Sequence, residues 1–311
     1  MTMSPSAPPP IKTIAILGAG AMGGAYAAML NSAEAFETMF VARGPRAERL
    51  RRDGLIVNGL DLRLPVVGPE DGASPADLII VALKHHHLEA ALPDLAPLVG
   101  GHATIISIMN GLASEAIIGN IYGKDKLLLA ISVGIDAVRK GNRMTYSNPG
   151  KVLFGESLNT EISPRVRQVQ EAFNQAGIPH ETPEDMIRAL WWKFMINVGM
   201  NQASAAMRAP YGVFQKSDEA RSLMRALMEE VIALARASTV NLTTKDIDDW
   251  LDILQRLSPA GKTSMLQDVE AGRPTEVDVF AGKVVALGRE LGISTPVNHA
   301  LLNIIRVLEQ A

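Results

Sequence analysis

The strongest constraint on the fold is a glycine-rich stretch near the start of the chain. A short β-branched run, Ile11–Leu17, leads directly into Gly18–Gly23 (G-A-G-A-M-G), and small residues then continue as a helix. Such a strand–turn–helix unit binds the pyrophosphate of a dinucleotide, because the helix N-terminus presents free N–H groups and partial positive charge. Gly18 allows a tight turn, Gly20 lets the phosphates approach the backbone, and Gly23 lets the helix pack closely. The sequence therefore predicts a Rossmann-type, doubly wound α/β domain at the N-terminus.

The residue after the second predicted strand indicates which dinucleotide is bound. That strand, Glu37–Ala42, is followed by Arg43 and then by Arg46. NAD-binding folds usually place a carboxylate at the end of this strand to hold the ribose 2′-hydroxyl, whereas a guanidinium can hold a 2′-phosphate in a bidentate pair. The pattern favours NADP(H). The two arginines could instead be solvated loop residues.

Two polar residues follow later parallel strands. Lys84 stands at the end of Asp77–Leu83, and Asn110 follows Ala103–Ile108. Ligands of open α/β sheets bind in the crevice outside the carboxyl ends of the strands. Either residue could therefore contact the cofactor, although either could also be ordinary loop punctuation.

A hairpin is predicted between the second strand and these later strands. Leu55–Val57 and Leu62–Val67 flank the turn signal Asn58-Gly59, and we expect this antiparallel pair to be inserted in the parallel sheet. The remaining elements predicted for this half are the strands Lys126–Val133, Arg143–Ser147, Val152–Phe154 and Ile178–Glu181 and the helix Pro164–Ala176.

Composition excludes several classes of site. The chain has no cysteine, which excludes disulfides, thiolate catalysis, iron–sulfur clusters and cysteine-type zinc sites. His85, His86 and His87 are consecutive, and on a helix their side chains would point about 100° apart and could not converge on a metal ion. We therefore expect no metal site and interpret the histidines as a helix start beside the crevice.

Charge and apolar content bear on partners and location. A net charge of −3 and a pI of about 6.1 argue against nucleic acid or an anionic membrane as a partner. The longest apolar runs stay below the ~20 residues that a helical membrane span needs. Residues 1–10 are rich in Ser and Pro and lack the pattern of a signal peptide. We expect residues 1–10 to be a disordered tail and the protein to be cytoplasmic.

The second half of the chain is predicted to be all-α. Thr182-Pro183-Glu184-Asp185 has the order of an N-cap, a proline at the first helical position and early acids. We place the domain boundary there, with a nucleotide-binding domain over 11–182 and a helical substrate or dimerisation domain over 183–311. Apolar residues at three- and four-residue spacing predict the helices Ser217–Ala237, Thr244–Leu257, Lys262–Asp268, Thr275–Leu291 and Thr295–Gln310.

The first helix of this half carries an unusual polar row. Within Trp191–Gln202 (W-W-K-F-M-I-N-V-G-M-N-Q), Lys193, Asn197 and Asn201 are spaced four residues apart and share one helix face. Burying an unpaired ammonium is costly, so this lysine needs partners or a function. The row suits a small ligand with a carbonyl, a carboxylate and a hydroxyl. Alternatively, the lysine extends to water from a partly exposed helix.

With these residues the chain resembles the 2-dehydropantoate 2-reductases (ketopantoate reductases) of the 6-phosphogluconate-dehydrogenase-like superfamily. The resemblance runs from Ile11 nearly to the end of the chain. Its motifs are G-A-G-A-M-G at Gly18–Gly23, L-K at Leu83-Lys84, N-G at Asn110-Gly111, W-W-K-x-x-x-N-x-x-x-N at Trp191–Asn201, S-M-L-Q-D at Ser264–Asp268 and T-E-V-D at Thr275–Asp278. It implies hydride transfer from NADPH to the C2 ketone of 2-dehydropantoate, which yields pantoate.

The resemblance also implies roles for individual residues. Lys193 would be the general acid that protonates the developing alkoxide, and Glu276 would contact the nicotinamide end and hold Lys193 by charge. The substrate would be bound by Asn110, Lys193, Asn197, Asn201 and Ser264. The cofactor would be bound by Gly18, Ala19, Gly20, Ala21, Met22, Gly23, Arg43, Lys84, Asn110, the backbone of Ala137, and Glu276.

The chain departs from the family pattern at two positions. Gln202 follows Asn201 where the family commonly has proline, and Tyr211 replaces an asparagine before Gly212. Both could reshape the pocket, so a reductase of a different 2-oxo acid is the alternative. A non-catalytic NADP-sensing protein is a remote alternative, because it would not need Lys193, Asn197 and Glu276 together. A homodimer is possible, but the apolar stripes of the C-terminal helices are equally explained by the domain core.

Overall fold

The computed structural model describes residues 9–310, so most of the predicted tail, residues 1–8, lies outside the described residues. Contacts divide the chain into two compact units, Met1–Met186 and Ile187–Ala311. The first unit is a mixed α/β domain and the second is helical, as the sequence predicts. Within residues 9–310 no helix is long and apolar enough to cross a membrane.

Two β-sheets make up the first unit. Their strands are β1 (Thr13–Leu17), β2 (Glu37–Val41), β3 (Leu55–Val57), β4 (Leu60–Leu62), β5 (Val66–Val67), β6 (Ala76–Val81), β7 (Val99–Ser107), β8 (Leu127–Val133), β9 (Val138–Lys140), β10 (Arg143–Thr145), β11 (Lys151–Gly155) and β12 (His180–Glu181). An eight-stranded sheet has the order β12-β11-β8-β7-β6-β1-β2-β5, and a four-stranded sheet has the order β4-β3-β10-β9.

Helices cover the larger sheet. They are α1 (Ala21–Ser32), α2 (Gly44–Asp53), α3 (Leu88–Ala91), α4 (Ser114–Tyr122) and α5 (Pro164–Gln175), with 3₁₀ segments at His85–His87, Leu92–Leu98 and Lys124–Lys126. Tyr26 of α1 lies buried, and its hydroxyl is 2.7 Å from Ser132 Oγ of β8. Burial raises the pKa of Tyr26 to about 12, so this link between helix and sheet is uncharged.

The centre of the larger sheet determines where a ligand can bind. β1 pairs in parallel with β2 on one side and with β6 on the other, so the chain proceeds outwards from β1 in both directions. Its Ile, Leu and Ala side chains are buried, as expected for a strand covered on both faces. The carboxyl edge between β1 and β6 is thus the topological switch point, where sheets of this class bind ligands. This confirms the predicted Rossmann-type, doubly wound fold.

The predicted hairpin forms, but its predicted place in the parallel sheet is wrong. β3 and β4 pair across Asn58-Gly59 and belong to the four-stranded sheet, where β3 pairs with β10. The run Leu62–Val67 is two strands, because Pro65 has no N–H to continue the ladder, and β5 joins β2 instead. This smaller sheet packs on α1, since a Cβ on Gly24 would lie 2.1 Å from Met144 Sδ.

Several elements escaped prediction because their sequences carry weak periodic signals. Helix α2 (G-P-R-A-E-R-L-R-R-D) buries only Ala47 and Leu50, so it lacks the apolar stripe that marks a helix. Strand β9 is only three residues long. Helix α4 was also missed, as was α8 of the second unit (Tyr211–Lys216).

The helix that enters the second unit starts later than predicted. Helix α6 is Met186–Ile196, and Thr182 does not cap it. The preceding residues are held by the segment before α5: Asn159 Nδ2 donates to Pro183 O at 2.7 Å, and Asn159 N donates to Glu184 O at 2.7 Å. These contacts hold the Thr-Pro-Glu-Asp stretch extended, so the predicted proline-first helix start is wrong.

The second unit consists of packed helices interrupted by two π-turns. Its further helices are α7 (Gln202–Met207), α8 (Tyr211–Lys216), α9 (Asp218–Ala237), α10 (Thr244–Leu254), α11 (Ser264–Glu270), α12 (Lys283–Leu291) and α13 (Pro296–Leu308). One π-turn, Asn197–Asn201, joins α6 to α7, and the other, Asp278–Gly282, precedes α12. The helices predicted to run unbroken through these segments are therefore interrupted, and such turns occur frequently at functional sites.

Candidate active site

The turn between β1 and α1 uses its glycines for different reasons. Gly18 has a φ of +118°, and a Cβ there would lie 2.5 Å from Ala82 O. A Cβ on Gly23 would lie 1.9 Å from Gly18 O. In contrast, a Cβ on Gly20 would meet nothing closer than Ala82 O at 3.9 Å, and its φ of −83° suits any residue. Packing explains Gly18 and Gly23, whereas no protein atom requires glycine at position 20, and the space beside its backbone is open to a ligand.

The start of α1 fits a phosphate group. Gly20 is the N-cap residue and has no side chain to cap the helix. Ala21 and Met22 begin the helix, where N–H groups have no intrahelical acceptor, and both are partly exposed, whereas Ala19 is buried in the turn. Free N–H groups together with the helix dipole attract an anion. The residues present therefore fit the pyrophosphate of a dinucleotide.

Lys84 and Asn110 lie at the same edge of the sheet as this turn. Lys84 follows β6 and Asn110 follows β7, and these strands are parallel neighbours. Ala82 N donates to Leu17 O at 2.9 Å, which ties the chain before Lys84 to the end of β1. Both Lys84 and Asn110 are half-buried. The structure thus brings the glycine turn, Lys84 and Asn110 together at the switch point.

Arg43 is anchored at the N-cap of α2. Its Nη2 donates to Ala90 O at 2.8 Å, and its Nε lies 3.4 Å from Asp94 Oδ1. The Asp94 side chain is 5% exposed, and burial raises its pKa, while Arg43 offsets part of that rise. The Arg43 side chain remains 57% exposed. Its guanidinium is therefore held in place, yet most of it can still be reached by an anion.

A cluster of arginines extends beyond Arg43. Partial desolvation and the neighbouring Arg49 lower the pKa of Arg46, and partial desolvation with Arg46 and Arg49 lowers the pKa of Arg139. Within residues 9–310, none of these three forms an ion pair with a carboxylate. Arg46 also lies in the first turn of α2, where the helix dipole disfavours a cation. An anion would relieve both effects.

The sequence reasoning missed Arg139. It lies on β9 of the smaller sheet, and it donates to Ala19 O in the glycine turn and to Gly141 O at 2.7 Å. The signal was the turn residue Gly141 between two short runs, V-R-K and R-M-T, which together form a hairpin. The smaller sheet thus brings a third segment of chain to the nucleotide turn.

Ala137, with its predicted backbone contact to the cofactor, lies on a restrained loop just before β9. Asp136 accepts hydrogen bonds from Ser147 N and Asn148 N, each at 2.8 Å. Ala137 itself is partly buried against the first unit's core. The loop is therefore well positioned to present a backbone group.

In the second unit, the polar row begins on α6 and continues through the π-turn. Lys193 is half-buried, whereas Asn197 and Asn201 are each 8% exposed, and Asn201 Nδ2 donates to Asn197 Oδ1 at 3.3 Å. A regular α-helix has 3.6 residues per turn, so residue i+4 is rotated about the helix axis beyond the direction of residue i. A π-turn holds more residues per turn, so it reverses that drift between the two asparagines. The row is therefore straighter than a regular helix would make it.

Glu276 and Ser264 lie on other segments of this unit. Glu276 is 5% exposed, and its carbonyl oxygen accepts from Val279 N and Phe280 N at the start of the second π-turn. Ser264 begins α11 and is exposed, but it is not the cap, since Thr263 Oγ1 accepts from Leu266 N at 3.1 Å. Ser264 is therefore the first residue of the helix, and its hydroxyl is not used for capping.

The two departures from the family pattern occupy different environments. Gln202 is fully buried and hydrogen-bonded. Tyr211 is partly exposed, its backbone N–H donates to Gly261 O at 3.0 Å, and its ring packs on Gly261 in the loop that leads to α11. Burial raises the pKa of Tyr211. Only Tyr211 is placed to contact a ligand directly.

The three consecutive histidines lie at the start of a helical segment. His85–His87 form a 3₁₀ turn directly before α3, as the interpretation of a helix start requires. In the described part of the chain, residues 9–310, no group of three or more His, Cys, Asp or Glu side chains could hold a metal ion.

Comparison with known proteins places the whole arrangement in one family. Residues 14–159 match the family described as ketopantoate reductase PanE/ApbA, and residues 185–309 match its C-terminal counterpart. The chain belongs to the ketopantoate reductase family. The glycine turn at Gly18–Gly23 and the polar row of Lys193, Asn197 and Asn201 both lie inside the matched regions.

Individual relatives are similar to this chain over nearly its whole length. The 2-dehydropantoate 2-reductase of Archaeoglobus fulgidus is 28% identical over 96% of this chain and 98% of its own. The crystal structure of 2-dehydropantoate 2-reductase from Geobacter metallireducens is 29% identical, with a TM-score of 0.83 over 96% of this chain and 99% of that one. A ternary structure of D-mandelate dehydrogenase with NADH and anilino(oxo)acetate has the same fold, with a TM-score of 0.87 at 21% identity over 96% and 98% of the chains. The family is therefore one of oxidoreductases.

Proposed function

We propose that the protein is an NADPH-dependent 2-oxo acid reductase that converts 2-dehydropantoate to pantoate. The observation that carries the proposal is the row on α6 and the π-turn, where a half-buried lysine is followed by two buried asparagines whose amides meet at 3.3 Å. A cation and two amides match the carbonyl, carboxylate and hydroxyl groups of that acid. Membership of the ketopantoate reductase family supports the same reaction.

In the proposed mechanism the residues of the chain bind, orient and protonate the 2-oxo acid. Lys193 polarises the C2 carbonyl and donates a proton to the oxygen as it becomes a hydroxyl. Asn197 and Asn201 hold the carboxylate and hydroxyl groups, with Ser264 as a further donor. Glu276 holds the ammonium of Lys193 by its negative charge. Bound NADPH supplies the hydride.

The nucleotide would be held by the first unit. The N–H groups at Gly18–Gly23 would bind the pyrophosphate, with Lys84, Asn110 and the Ala137 backbone towards the nicotinamide end. Arg43, Arg46 and Arg139 would bind the 2′-phosphate. These arginines are the reason to prefer NADPH over NADH, the nucleotide in the ternary structure of D-mandelate dehydrogenase.

Two arginine substitutions test the cofactor preference. Arg43→Gln and Arg139→Gln should each weaken NADPH binding by about ten- to a hundredfold, the value of a charged hydrogen bond, and leave NADH nearly unchanged. Dissociation constants from nucleotide fluorescence would give both numbers. Arg225→Gln removes an arginine paired with Asp248 in the second unit and is the matched control.

A second control separates binding from stability. Loss of Arg43 leaves Asp94 buried without its ion pair, so Asp94→Asn is made alongside and should not change the ratio of NADPH to NADH affinity. Equal losses for both nucleotides in Arg43→Gln and Arg139→Gln would remove the assigned 2′-phosphate role.

A different 2-oxo acid is the second candidate, because Gln202 and Tyr211 depart from the family pattern. Initial rates of NADPH oxidation should be compared for ketopantoate, pyruvate, 2-oxoisovalerate and oxaloacetate. We expect ketopantoate to have the highest kcat/KM. If a simpler 2-oxo acid matches or exceeds it, the mechanism stands but the substrate is wrong, and Tyr211→Asn becomes the first variant to profile.

A further inference from the structure

Gln202 links the two π-turns of the second unit through one side chain. Its Nε2 donates to Val198 O of the first π-turn at 2.8 Å, and its Oε1 accepts from Ala281 N of the second at 3.0 Å. The side chain is 0% exposed, so neither contact competes with water. Both ends of the amide are therefore used, one on each segment.

The contact with Ala281 provides an acceptor for a backbone N–H of the second π-turn. On either side of it, Phe280 N donates to Glu276 O at 3.2 Å and Gly282 N donates to Val277 O at 3.0 Å. The N–H of Ala281 lies between these two and is directed to Gln202 instead. A buried N–H without an acceptor is strongly disfavoured, so the second π-turn depends on this glutamine.

A third contact fixes the glutamine itself. Gln202 Nε2 also donates to Asn298 Oδ1 at 3.1 Å, and Asn298 Nδ2 donates to Glu230 Oε2 at 2.7 Å. Glu230 in turn accepts from Val297 N at 2.8 Å at the start of α13. Gln202 and Asn298 are buried, and each of their amide nitrogens has an oxygen acceptor, so the roles of the two amides are consistent with one another.

The two segments that Gln202 joins carry the proposed chemistry. The first contains Asn197 and Asn201, directly before Gln202, and the second begins beside Glu276. We propose that Gln202 is a positioning residue that sets the distance between the lysine–asparagine row and Glu276 by holding the two π-turns together. This inference rests on the proposed function for its catalytic consequence, and on the hydrogen bonds alone for its structural part.

The test compares two variants of nearly the same shape. Gln202→Met removes all three hydrogen bonds, whereas Gln202→Glu retains the oxygen that accepts from Ala281 N. We expect Gln202→Met to lower kcat with the 2-oxo acid by about a hundredfold, the effect of misplacing groups by about 1 Å, with the KM for NADPH unchanged. Gln202→Glu should recover part of that loss.

The control removes comparable bonds elsewhere in the unit. Gln215 Nε2 donates to Leu254 O and Leu257 O, both at 2.9 Å, so Gln215→Met loses two side-chain hydrogen bonds that involve neither π-turn. It should leave kcat unchanged. An equal fall in kcat for Gln202→Met and Gln215→Met would show general destabilisation and overturn the proposal, as would parent-like kcat in Gln202→Met.

Amide hydrogen exchange decides the structural part without any substrate. In Gln202→Met, peptides that cover residues 197–202 and 276–283 should both exchange faster, and in Gln202→Glu the second peptide should stay protected. Faster exchange in only one peptide of Gln202→Met would overturn the linkage. If the parent protein reduces no 2-oxo acid, the proposed function fails, while the exchange result still supports or overturns the role of Gln202.

Discussion

Lys193→Met is expected to lower kcat for the 2-oxo acid by about 10²- to 10⁴-fold, the usual contribution of a positioned general acid. The physical reason is that the oxygen of the reduced ketone must gain a proton, and Lys193 is the donor that we propose. Methionine keeps the unbranched stem in its half-buried environment and removes only the ammonium. Steady-state rates of NADPH oxidation at saturating substrate give the change directly.

The control for this variant is a lysine of the same unit without an assigned role. Lys283→Met, at the start of α12, should keep the parent kcat. NADPH affinity should be similar in both variants, because the first unit carries most of the proposed nucleotide contacts. If Lys193→Met keeps both kcat and the substrate response of the parent, the assignment of Lys193 as proton donor is wrong.

Alanine substitutions at Gly20 and Gly23 are expected to change different properties: Gly23→Ala should lower stability, and Gly20→Ala should lower NADPH affinity. In Gly23→Ala the new methyl group would lie 1.9 Å from Gly18 O. Because this contact is with backbone, which can shift only at a high energetic cost, the free energy of unfolding should fall by about 3 kcal/mol. In Gly20→Ala the methyl group meets no protein atom within 3.9 Å, so stability should be nearly unchanged. NADPH affinity should nevertheless fall by about ten- to a hundredfold, because the methyl group occupies the approach of the pyrophosphate.

Two measurements separate these outcomes. Urea unfolding reports stability, and nucleotide titration of the folded protein reports affinity. A Gly20→Ala protein that binds NADPH as tightly as the parent would contradict the placement of the pyrophosphate. A parent-like unfolding midpoint in Gly23→Ala would contradict the packing of the helix start on the turn.

The fold could be predicted from the sequence where it follows from a local pattern. The glycine turn combines a buried strand, a φ of +118° at Gly18 and a helix start in one continuous stretch, so its geometry follows from neighbouring residues. The alternation of strands and helices likewise predicted the doubly wound sheet, since each strand is a short apolar run. Lys84 and Asn110 could be placed because strand ends in parallel sheets meet at one edge.

Prediction from the sequence failed where distant segments determine the result. Arg139 reaches Ala19 only because the smaller sheet packs on α1, and nothing within V-R-K encodes that contact. The π-turns could not be predicted either, since the sequence of Asn197–Asn201 is compatible with an ordinary α-helix. The hydrogen bonds of the Gln202 side chain to Val198 and Ala281 depend on the folded structure. Such contacts join residues far apart in the sequence, and periodicity cannot reveal them.

The most direct test of the proposed reaction is the steady-state oxidation of NADPH with ketopantoate, with NADH run in parallel and the product identified by chromatography. The expected result is stoichiometric formation of pantoate, with kcat/KM for NADPH at least tenfold above that for NADH, as a 2′-phosphate bound by arginine requires. Absence of pantoate formation with either nucleotide, from a protein that binds NADPH, would contradict the proposed reaction.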